Sequence, residues 1–240
     1  MIEKSEIQEN YLRVTERIRS VALAYGRNPQ TIKLVVVTKG HQLEQVHYAI
    51  EAGAHLLGEN YVEEVIEKRL ALGAYEQIEW HMIGHVQSRK ANEVCQHFSF
   101  LHSLDSLKLA RRLDRFAAEL GLILPVLLEC NISGEESKYG WPAREKMNWS
   151  DLAVEVADVL ALTNLKVCGL MTMPPFSEIP EDSRPYFKNL RRLQKYFMDQ
   201  FPSVDWSELS MGMSTDFDIA IQEGATFVRV GTAIMGSRPI

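Results

Sequence analysis

Cysteine and positive charge are both scarce in this sequence. Only Cys95, Cys130 and Cys168 occur among its 240 residues. Three cysteines without a CxxC pair argue against a disulfide scaffold and against a structural zinc site. The 26 Lys and Arg residues face 32 Asp and Glu residues, which gives a net charge of -6. A nucleic-acid-binding domain usually carries a basic excess, so this balance argues against that class of protein.

Signals for membranes, secretion and metal binding are missing as well. No apolar run reaches the roughly 18 residues that a membrane span needs. The first ten residues, MIEKSEIQEN, are charged and lack the apolar core of a secretory signal. Neither the HExxH metal motif nor the GxSxG nucleophile motif occurs. We therefore expect a cytoplasmic protein in a reducing compartment, with no membrane contact and no metal site.

A regular alternation of two kinds of segment fills the chain. The opening segment has an apolar side and predicts an extra N-terminal helix over about 3–25, which Gly26 and Pro29 end. Short apolar runs then follow at 32–38, 55–58, 78–83, 98–104, 125–132, 165–171, 208–211 and 227–230. Segments with helical periodicity lie between them, at 43–52, 61–72, 87–95, 106–119, 149–162, 183–201 and 215–223.

This alternation predicts parallel βαβ units and an α/β fold. Runs such as 34–37 are apolar on both faces, which is typical of parallel strands covered on each side. Eight strands fit a single (β/α)8 TIM-type barrel over about 32–238, in one domain spanning 1–240. The alternative is an open doubly wound sheet. That fold usually has fewer strands and a Gly-rich loop after the first one, where this chain has Thr38-Lys39-Gly40-His41.

Lys39 is the first candidate functional residue, because it directly follows the first predicted strand. Barrel enzymes place their active site at the carboxyl ends of the strands. Partial burial there lowers the pKa of a lysine, since burial penalises the charged ammonium. A neutral lysine amine can attack an aldehyde and form a Schiff base. The alternative is a lysine that extends into solvent from the strand end.

The last two predicted strands suggest an anion site. The segment from Ser210 to Asp216 brings small and hydroxyl residues to a helix start, and Gly231-Thr232 do the same after the final strand. Loops after the seventh and eighth strands form the recurrent phosphate site of barrels. Arg229 alternates with outward-facing Val228 and Val230, so we expect it to face the barrel interior.

Several of these residues also have plainer interpretations. Arg229 is either a donor to a bound ligand or a buried arginine paired with Glu59 or Glu129. Asn60 is either a ligand contact or the N-cap of the next helix, and its spacing alone favours the cap. A lone histidine in an apolar strand, such as His81, is usually a hydrogen-bonded core residue.

Taken in order, the motifs resemble those of a known family. They are Lys39 at the first strand end, Gly-Glu-Asn-Tyr at 58–61, Trp-His-Met-Ile-Gly at 80–84, Leu-Ser-Met-Gly-Met-Ser at 209–214 and Val-Arg-Val-Gly-Thr-Ala-Ile-Met-Gly at 228–236. This pattern closely resembles the pyridoxal 5′-phosphate (PLP) homeostasis protein family, from about residue 5 to 238. That family looks like the barrel domain of bacterial alanine racemase, which is fold type III of the PLP proteins.

The resemblance implies a role for each candidate residue. Lys39 matches the lysine that forms a covalent aldimine with PLP, and Arg229 matches the arginine that faces the pyridine nitrogen. One phosphate loop is matched by Ser210, Met211, Gly212 and Ser214, and the other by Gly231 and Thr232. Asn60 matches a family residue near the ring, and His81, which lies in a family motif, is expected among the cofactor-binding residues. The family usually continues its lysine segment as Lys-Thr-Lys-Pro, whereas this chain has Gly40-His41-Gln42 after Lys39.

The resemblance also implies a function. It indicates a reversible PLP carrier or regulator in intracellular PLP homeostasis that influences amino-acid and keto-acid metabolism. We expect a monomer without significant racemase activity, in transient contact with PLP-dependent apoenzymes. The alternatives are a PLP-dependent amino-acid racemase and a Schiff-base aldolase that acts on sugar phosphates without a cofactor.

Overall fold

A closed ring of parallel strands forms the centre of the protein, in a computed structural model that describes residues 2–73 and 77–238. The strands are β1 (Lys33–Val37), β2 (Leu56–Glu59), β3 (Glu79–Met82), β4 (Phe100–Leu104), β5 (Leu124–Asn131), β6 (Trp141–Pro142), β7 (Leu165–Met171), β8 (Glu208–Ser210) and β9 (Phe227–Val230). All except β6 belong to the ring, which closes where β4 pairs with β5 and β9 pairs with β1. The predicted (β/α)8 TIM-type barrel is confirmed. The predicted domain limits, 1 and 240, lie outside the described residues.

Helices cover the outside of the ring, and those from α2 to α8 lie between its strands. They are α1 (Lys4–Ala24), α2 (Leu43–Glu51), α3 (Val62–Leu72), α4 (Ala91–His97), α5 (Leu107–Leu120), α6 (Trp149–Leu160), α7 (Arg184–Gln200), α8 (Phe217–Gln222) and α9 (Thr232–Met235). The two-residue strand β6 was not predicted, and it pairs with the carboxyl end of β5.

The barrel strands bury both of their faces. Outward-facing side chains such as Val36 and Leu57 belong to a large core shared with the helices, and inward-facing Val35, Leu127 and Phe227 form a second core inside the ring. This double burial explains why the strands are apolar without alternation. It also leaves the carboxyl ends of the strands as the place where polar residues gather.

The helix ends follow local sequence signals. In α5, the Ser106 hydroxyl accepts a hydrogen bond from the Leu109 N–H, and Gly121 ends the helix in the left-handed conformation at φ 65°. A serine N-cap and a glycine C-cap are the standard solutions for unpaired backbone groups at helix ends. The helix between them was therefore predictable to within one residue at each end.

The N-terminal helix α1 packs against the helices that flank the first and last strands. Ile7, Val14 and Ile18 are buried along one side of α1, and the Asn10 amide donates to the carbonyl of Ile234 in α9 at 3.1 Å. The predicted extra helix is confirmed. Leu12 is exposed, because five helical positions after Ile7 place it about 140° around the axis.

Three further features bear on the expected class of protein. Among the helices of residues 2–73 and 77–238, none combines the length and the apolar character needed to cross a membrane. Within the same ranges, no three His, Cys, Asp or Glu side chains form a group that could hold a metal ion. Cys95, Cys130 and Cys168 are buried, free thiols.

Candidate cofactor site

Lys39 occupies the corner of a tight turn directly after β1. The Thr38 carbonyl accepts a hydrogen bond from the His41 N–H at 3.1 Å, which closes a four-residue turn. Gly40 has a φ of 71°, whereas no non-glycine residue in the described ranges has a positive φ. This combination defines a type II turn, whose third residue favours glycine. Gly40 therefore lets the chain turn while Lys39 stays at the barrel mouth.

The Lys39 amine is partly buried among charges of both signs. Burial lowers its pKa below the ordinary lysine value, and the cations Arg238 and Arg229 lower it further. Glu59 and Glu64 act in the opposite direction, but their effect is smaller. The neutral fraction of the amine is therefore larger than in an exposed lysine, and the neutral amine is the nucleophilic form.

Arg229 lies inside the barrel with only 4% of its surface exposed. Its Nη1 donates to Ser210 Oγ at 2.5 Å and its Nη2 donates to the Thr172 carbonyl at 3.0 Å. No ion pair joins it to a carboxylate within residues 2–73 and 77–238, so the alternative of pairing with Glu59 or Glu129 is wrong. Burial lowers the pKa of Arg229 to about 10, which leaves the guanidinium charged at neutral pH.

A column of buried polar side chains continues from Arg229 into the barrel. His102 Nδ1 lies 2.8 Å from Ser210 Oγ, and His102 Nε2 lies 2.8 Å from His81 Nδ1. The His81 ring stacks on Phe100, and burial lowers the pKa of both histidines. His81 is thus a hydrogen-bonded core histidine, separated from Arg229 by two side chains. Its direct contact with a cofactor stays a prediction.

The loops that follow β8 and β9 meet at Ser214. Its hydroxyl accepts hydrogen bonds from the N–H groups of Gly231 and Ala233, both at 3.3 Å. The backbone N–H groups of Ser214 and Thr232 donate to no acceptor in the described part of the chain. Thr232 begins α9, and unpaired N–H groups at a helix start favour a bound anion. The two loops predicted to form an anion site are therefore adjacent.

Met211 and Gly212 shape the chain directly after β8. The Met211 N–H already bonds to the Phe227 carbonyl at 3.1 Å, and its side chain is buried in the outer core. Gly212 has a φ of 93°, and a Cβ there would lie 2.5 Å from the Cβ of Ala220. Its carbonyl accepts the Arg229 N–H at 2.9 Å. Glycine thus permits a close approach that ties this loop to the strand of the buried arginine.

Asn60 lies at the carboxyl end of β2 without capping the next helix. Helix α3 begins at Val62, its N-cap is Tyr61, and no side chain caps it. The cap favoured by the spacing is therefore wrong, because the helix begins one residue too late. The Asn60 side-chain oxygen is buried and has no hydrogen-bond partner within the described ranges. A buried amide oxygen without a partner is costly, and a bound ligand would satisfy it.

A cavity of about 410 Å³ opens beside Asn60, at the ends of β2 and β3. The rings of His85 and Tyr139 stack at one side of it, with centroids 3.6 Å apart. His85 Nδ1 lies 2.7 Å from Asp105 Oδ2, which holds the stacked pair in place. Tyr61 also lines the cavity. This volume is in the range of small-molecule sites, and the cavity adjoins the site at Asn60 without being lined by Lys39 or Arg229.

Sequence reasoning missed the residues that support the site from behind. They are Glu64, Lys68, His102, Thr172 and Arg238. Glu64 and Lys68 are four residues apart on a predicted helix, a spacing that suits an ion pair, but nothing in the sequence shows that both contact the Lys39 turn. Thr172 acts through its backbone carbonyl, for which a sequence carries no signal.

Comparisons with known proteins agree over nearly the full length. The family model of the alanine racemase N-terminal domain matches residues 2–239. A pyridoxal phosphate homeostasis protein of Aquifex aeolicus is 39% identical over 230 residues, which cover 96% of this chain and 97% of that protein. The Escherichia coli K12 protein of the same name is 37% identical over 244 residues, covering 98% and 97%.

Solved structures extend the similarity to the fold. PipY of Synechococcus elongatus PCC7942, solved with PLP bound, has a TM-score of 0.80 and 34% identity, covering 93% of this chain and 100% of that one. The alanine racemase of Clostridium difficile 630 has a TM-score of 0.70 at 17% identity. The match covers 98% of this chain and 57% of the racemase chain, and it shows a shared fold alone. Because the family model and the relatives span almost the whole sequence, this chain belongs to the pyridoxal phosphate homeostasis protein family, within the alanine racemase N-terminal domain family.

Proposed function

We propose that this protein binds PLP reversibly at Lys39 and acts in intracellular PLP homeostasis as a carrier that buffers the reactive aldehyde. The observation that carries the proposal is the buried guanidinium of Arg229, which lies near Lys39 and forms no ion pair with a carboxylate in the described ranges. Glu129 and Asp216 favour the charge of Arg229 without a direct ion pair, and an acceptor atom on a bound ring would offset part of the remaining cost of its burial. The names of the relatives and the PLP-bound form of PipY support the same function.

The residues of the barrel mouth fit the parts of PLP. We assign Arg229 to the ring nitrogen and Lys39 to the aldehyde. The free N–H groups of Ser214 and Thr232 suit the phosphate dianion, and Gly231, whose N–H donates to the Ser214 hydroxyl, holds the two loops together. The unpartnered amide oxygen of Asn60 suits a polar group on the ring edge.

The other predicted cofactor residues act in this proposal through their neighbours. Gly212 gives the first phosphate loop its close approach, and Met211 fixes the start of that loop by its bond to β9. Ser210 orients Arg229, and His81 supports Ser210 through His102.

When bound, PLP supplies an aldehyde that condenses with an amine, with loss of water. Lys39 provides the amine, and its lowered pKa increases the neutral, attacking form. Arg229 holds the ring nitrogen unprotonated, because a fixed cation with a high pKa opposes a second positive charge beside it. An unprotonated ring withdraws electrons weakly, which suits a carrier better than a catalyst of carbanion chemistry.

We also propose that the protein has no significant racemase activity. Racemisation needs a base on each face of the substrate, and Lys39 serves only one face. Tyr61 and Tyr139 are the tyrosines of the adjacent loops, but Tyr61 is 61% exposed and Tyr139 is stacked on His85. Tyr61 is therefore largely in solvent, and the ring of Tyr139 is engaged with His85, so we assign neither as the second base. A cytoplasmic monomer that transiently contacts PLP-dependent apoenzymes completes the proposal.

The decisive experiment is an absorbance spectrum of the purified protein incubated with PLP, followed by borohydride reduction and peptide mass mapping. We expect a yellow protein and a reduced pyridoxyl group on the peptide containing Lys39. Lys33 and Lys138 serve as internal controls, since Lys33 pairs with Glu208 and Lys138 pairs with Glu135. A colourless protein, or a label on another lysine, would overturn the assignment.

A further inference from the structure

Helix α3 holds the peptide groups on both sides of Lys39. Lys68 Nζ donates to the Thr38 carbonyl at 2.9 Å, and Glu64 Oε2 accepts the Gly40 N–H at 2.8 Å. The two α3 side chains are one helical turn apart and pair with each other at 3.0 Å. One ion pair therefore clamps the turn that carries the lysine, from its first residue to its third.

The Glu64–Lys68 ion pair is also connected to a buried carboxylate. Lys68 Nζ also contacts Glu59 Oε1 at 2.6 Å, and the same oxygen accepts the Thr38 hydroxyl at 2.6 Å. Glu59 is fully buried and only 8% of the Lys68 side chain is exposed. Glu59 Oε2 has no hydrogen-bond partner in the described ranges. Lys68 is thus the cation that balances both carboxylates next to the Lys39 turn.

We propose that Lys68 and Glu64 are positioning residues for Lys39, which fix the turn around it and balance the charge at its amine. This positioning role rests on the proposed function of Lys39 in PLP binding. The contacts and charges involved belong to the protein alone, so their effect on Lys39 is measurable without PLP.

The charges that face Lys39 come from every neighbouring element. Arg229 of β9 and Arg238 of the C-terminal segment favour the neutral amine, whereas Glu59 of β2 and Glu64 of α3 favour the ammonium. His41 in the turn has a pKa lowered by burial and is neutral at physiological pH. Removing the charge of Glu64 should therefore lower the pKa of Lys39, and removing the charge of Lys68 should raise it.

The test is competitive labelling of the PLP-free protein with acetic anhydride between pH 7 and 11. Mass spectrometry would give the extent of acetylation of Lys39 relative to exposed Lys108. We expect Glu64→Gln, which keeps an acceptor for the Gly40 N–H, to increase the neutral fraction of Lys39 about threefold to tenfold below its pKa. Glu63→Gln is the matched control, because it removes the same charge from the adjacent residue, which pairs with Lys90.

Lys68→Gln should have the opposite effect and decrease the neutral fraction of Lys39, because it leaves Glu59 and Glu64 without their cation. Opposite changes in the acetylation of Lys39 would identify a role in charge balance, because a merely structural role would change it in the same direction in both variants. Equal reactivity of Lys39 in Glu64→Gln and Glu63→Gln would overturn the proposal even if Lys68→Gln fails to fold. If the shifts appear but the wild-type protein binds no PLP, the positioning role stands and the proposed function fails.

Discussion

Replacing Lys39 with alanine should weaken PLP binding without abolishing it. The substitution removes the amine, but it leaves the anion site at Ser214 and Thr232 unchanged. Those two residues present free backbone N–H groups, and the Ser214 hydroxyl already braces the start of α9. The phosphate should therefore bind in its usual place when no covalent bond can form.

The size of the remaining affinity follows from these donors. A hydrogen bond to a charged group contributes about 1.5–3 kcal/mol, so two N–H groups give about 3–6 kcal/mol. That range corresponds to a dissociation constant between about several millimolar and about several tens of micromolar. Equilibrium dialysis with PLP measures this range directly.

Two controls make the result decisive. Lys138→Ala removes a loop lysine that pairs with Glu135, and it should bind PLP like the wild type. Circular dichroism checks that Lys39→Ala is folded. Complete loss of binding in a folded Lys39→Ala protein would refute the reasoning, since the lysine rather than the anion site would then dominate.

Three further predictions concern charge and catalysis. Burial raises the pKa of Glu129 to about 7, so the folded protein favours the protonated carboxyl. The free energy of unfolding that this group contributes at low pH, below its pKa in the unfolded chain, is therefore lost as the pH rises through 7. Glu129→Gln should therefore stabilise the protein at pH 8 by on the order of 3 kcal/mol and have little effect at pH 4, measured by urea unfolding; equal effects at both values would contradict the shift. Arg229→Glu should favour ring protonation, so with amino acids it should accumulate a long-wavelength absorbance band that the wild type lacks; an equal band in both would rule this out. Chiral analysis of L-alanine and other amino acids with the PLP-loaded protein should show no turnover near about one per second, the lower end of the usual enzyme range. If such turnover appears, Tyr61→Phe and Tyr139→Phe would identify the second base.

The barrel was predictable because its signals are local. The run at 34–37 is apolar on both faces, and α5 carries its own cap residues, so each element could be located from its own segment. The two-residue strand β6 was missed because two residues show no periodicity. Its pairing depends entirely on the neighbouring end of β5.

The candidate site was only partly predictable, because its contacts join distant segments. Lys39 and Arg229 follow from their positions on strands. The partners of Arg229, however, are a hydroxyl on β8 and a backbone carbonyl 57 positions away in the chain. The alternative of a direct carboxylate partner rested on charge complementarity alone, and in the structure Glu59 is bound to Lys68 instead. The helix cap that spacing alone favoured for Asn60 is wrong for a related reason, since the exact start of α3 depends on packing.

The hydrogen bonds in the buried column below Arg229 run in one direction, from Arg229 towards His81. A guanidinium can only donate, so Ser210 Oγ accepts a hydrogen bond from Arg229, and its own hydroxyl hydrogen is left to donate a hydrogen bond to His102 Nδ1. Neutral His102 then carries its proton on Nε2 and donates to His81 Nδ1, which leaves the His81 Nε2–H pointing to Glu79 Oε2, 3.8 Å away. The opposite order would place a bare ring nitrogen beside that carboxylate. This order puts the hydrogen of each histidine on Nε2, and replacing Arg229 would remove the donor at the head of the column.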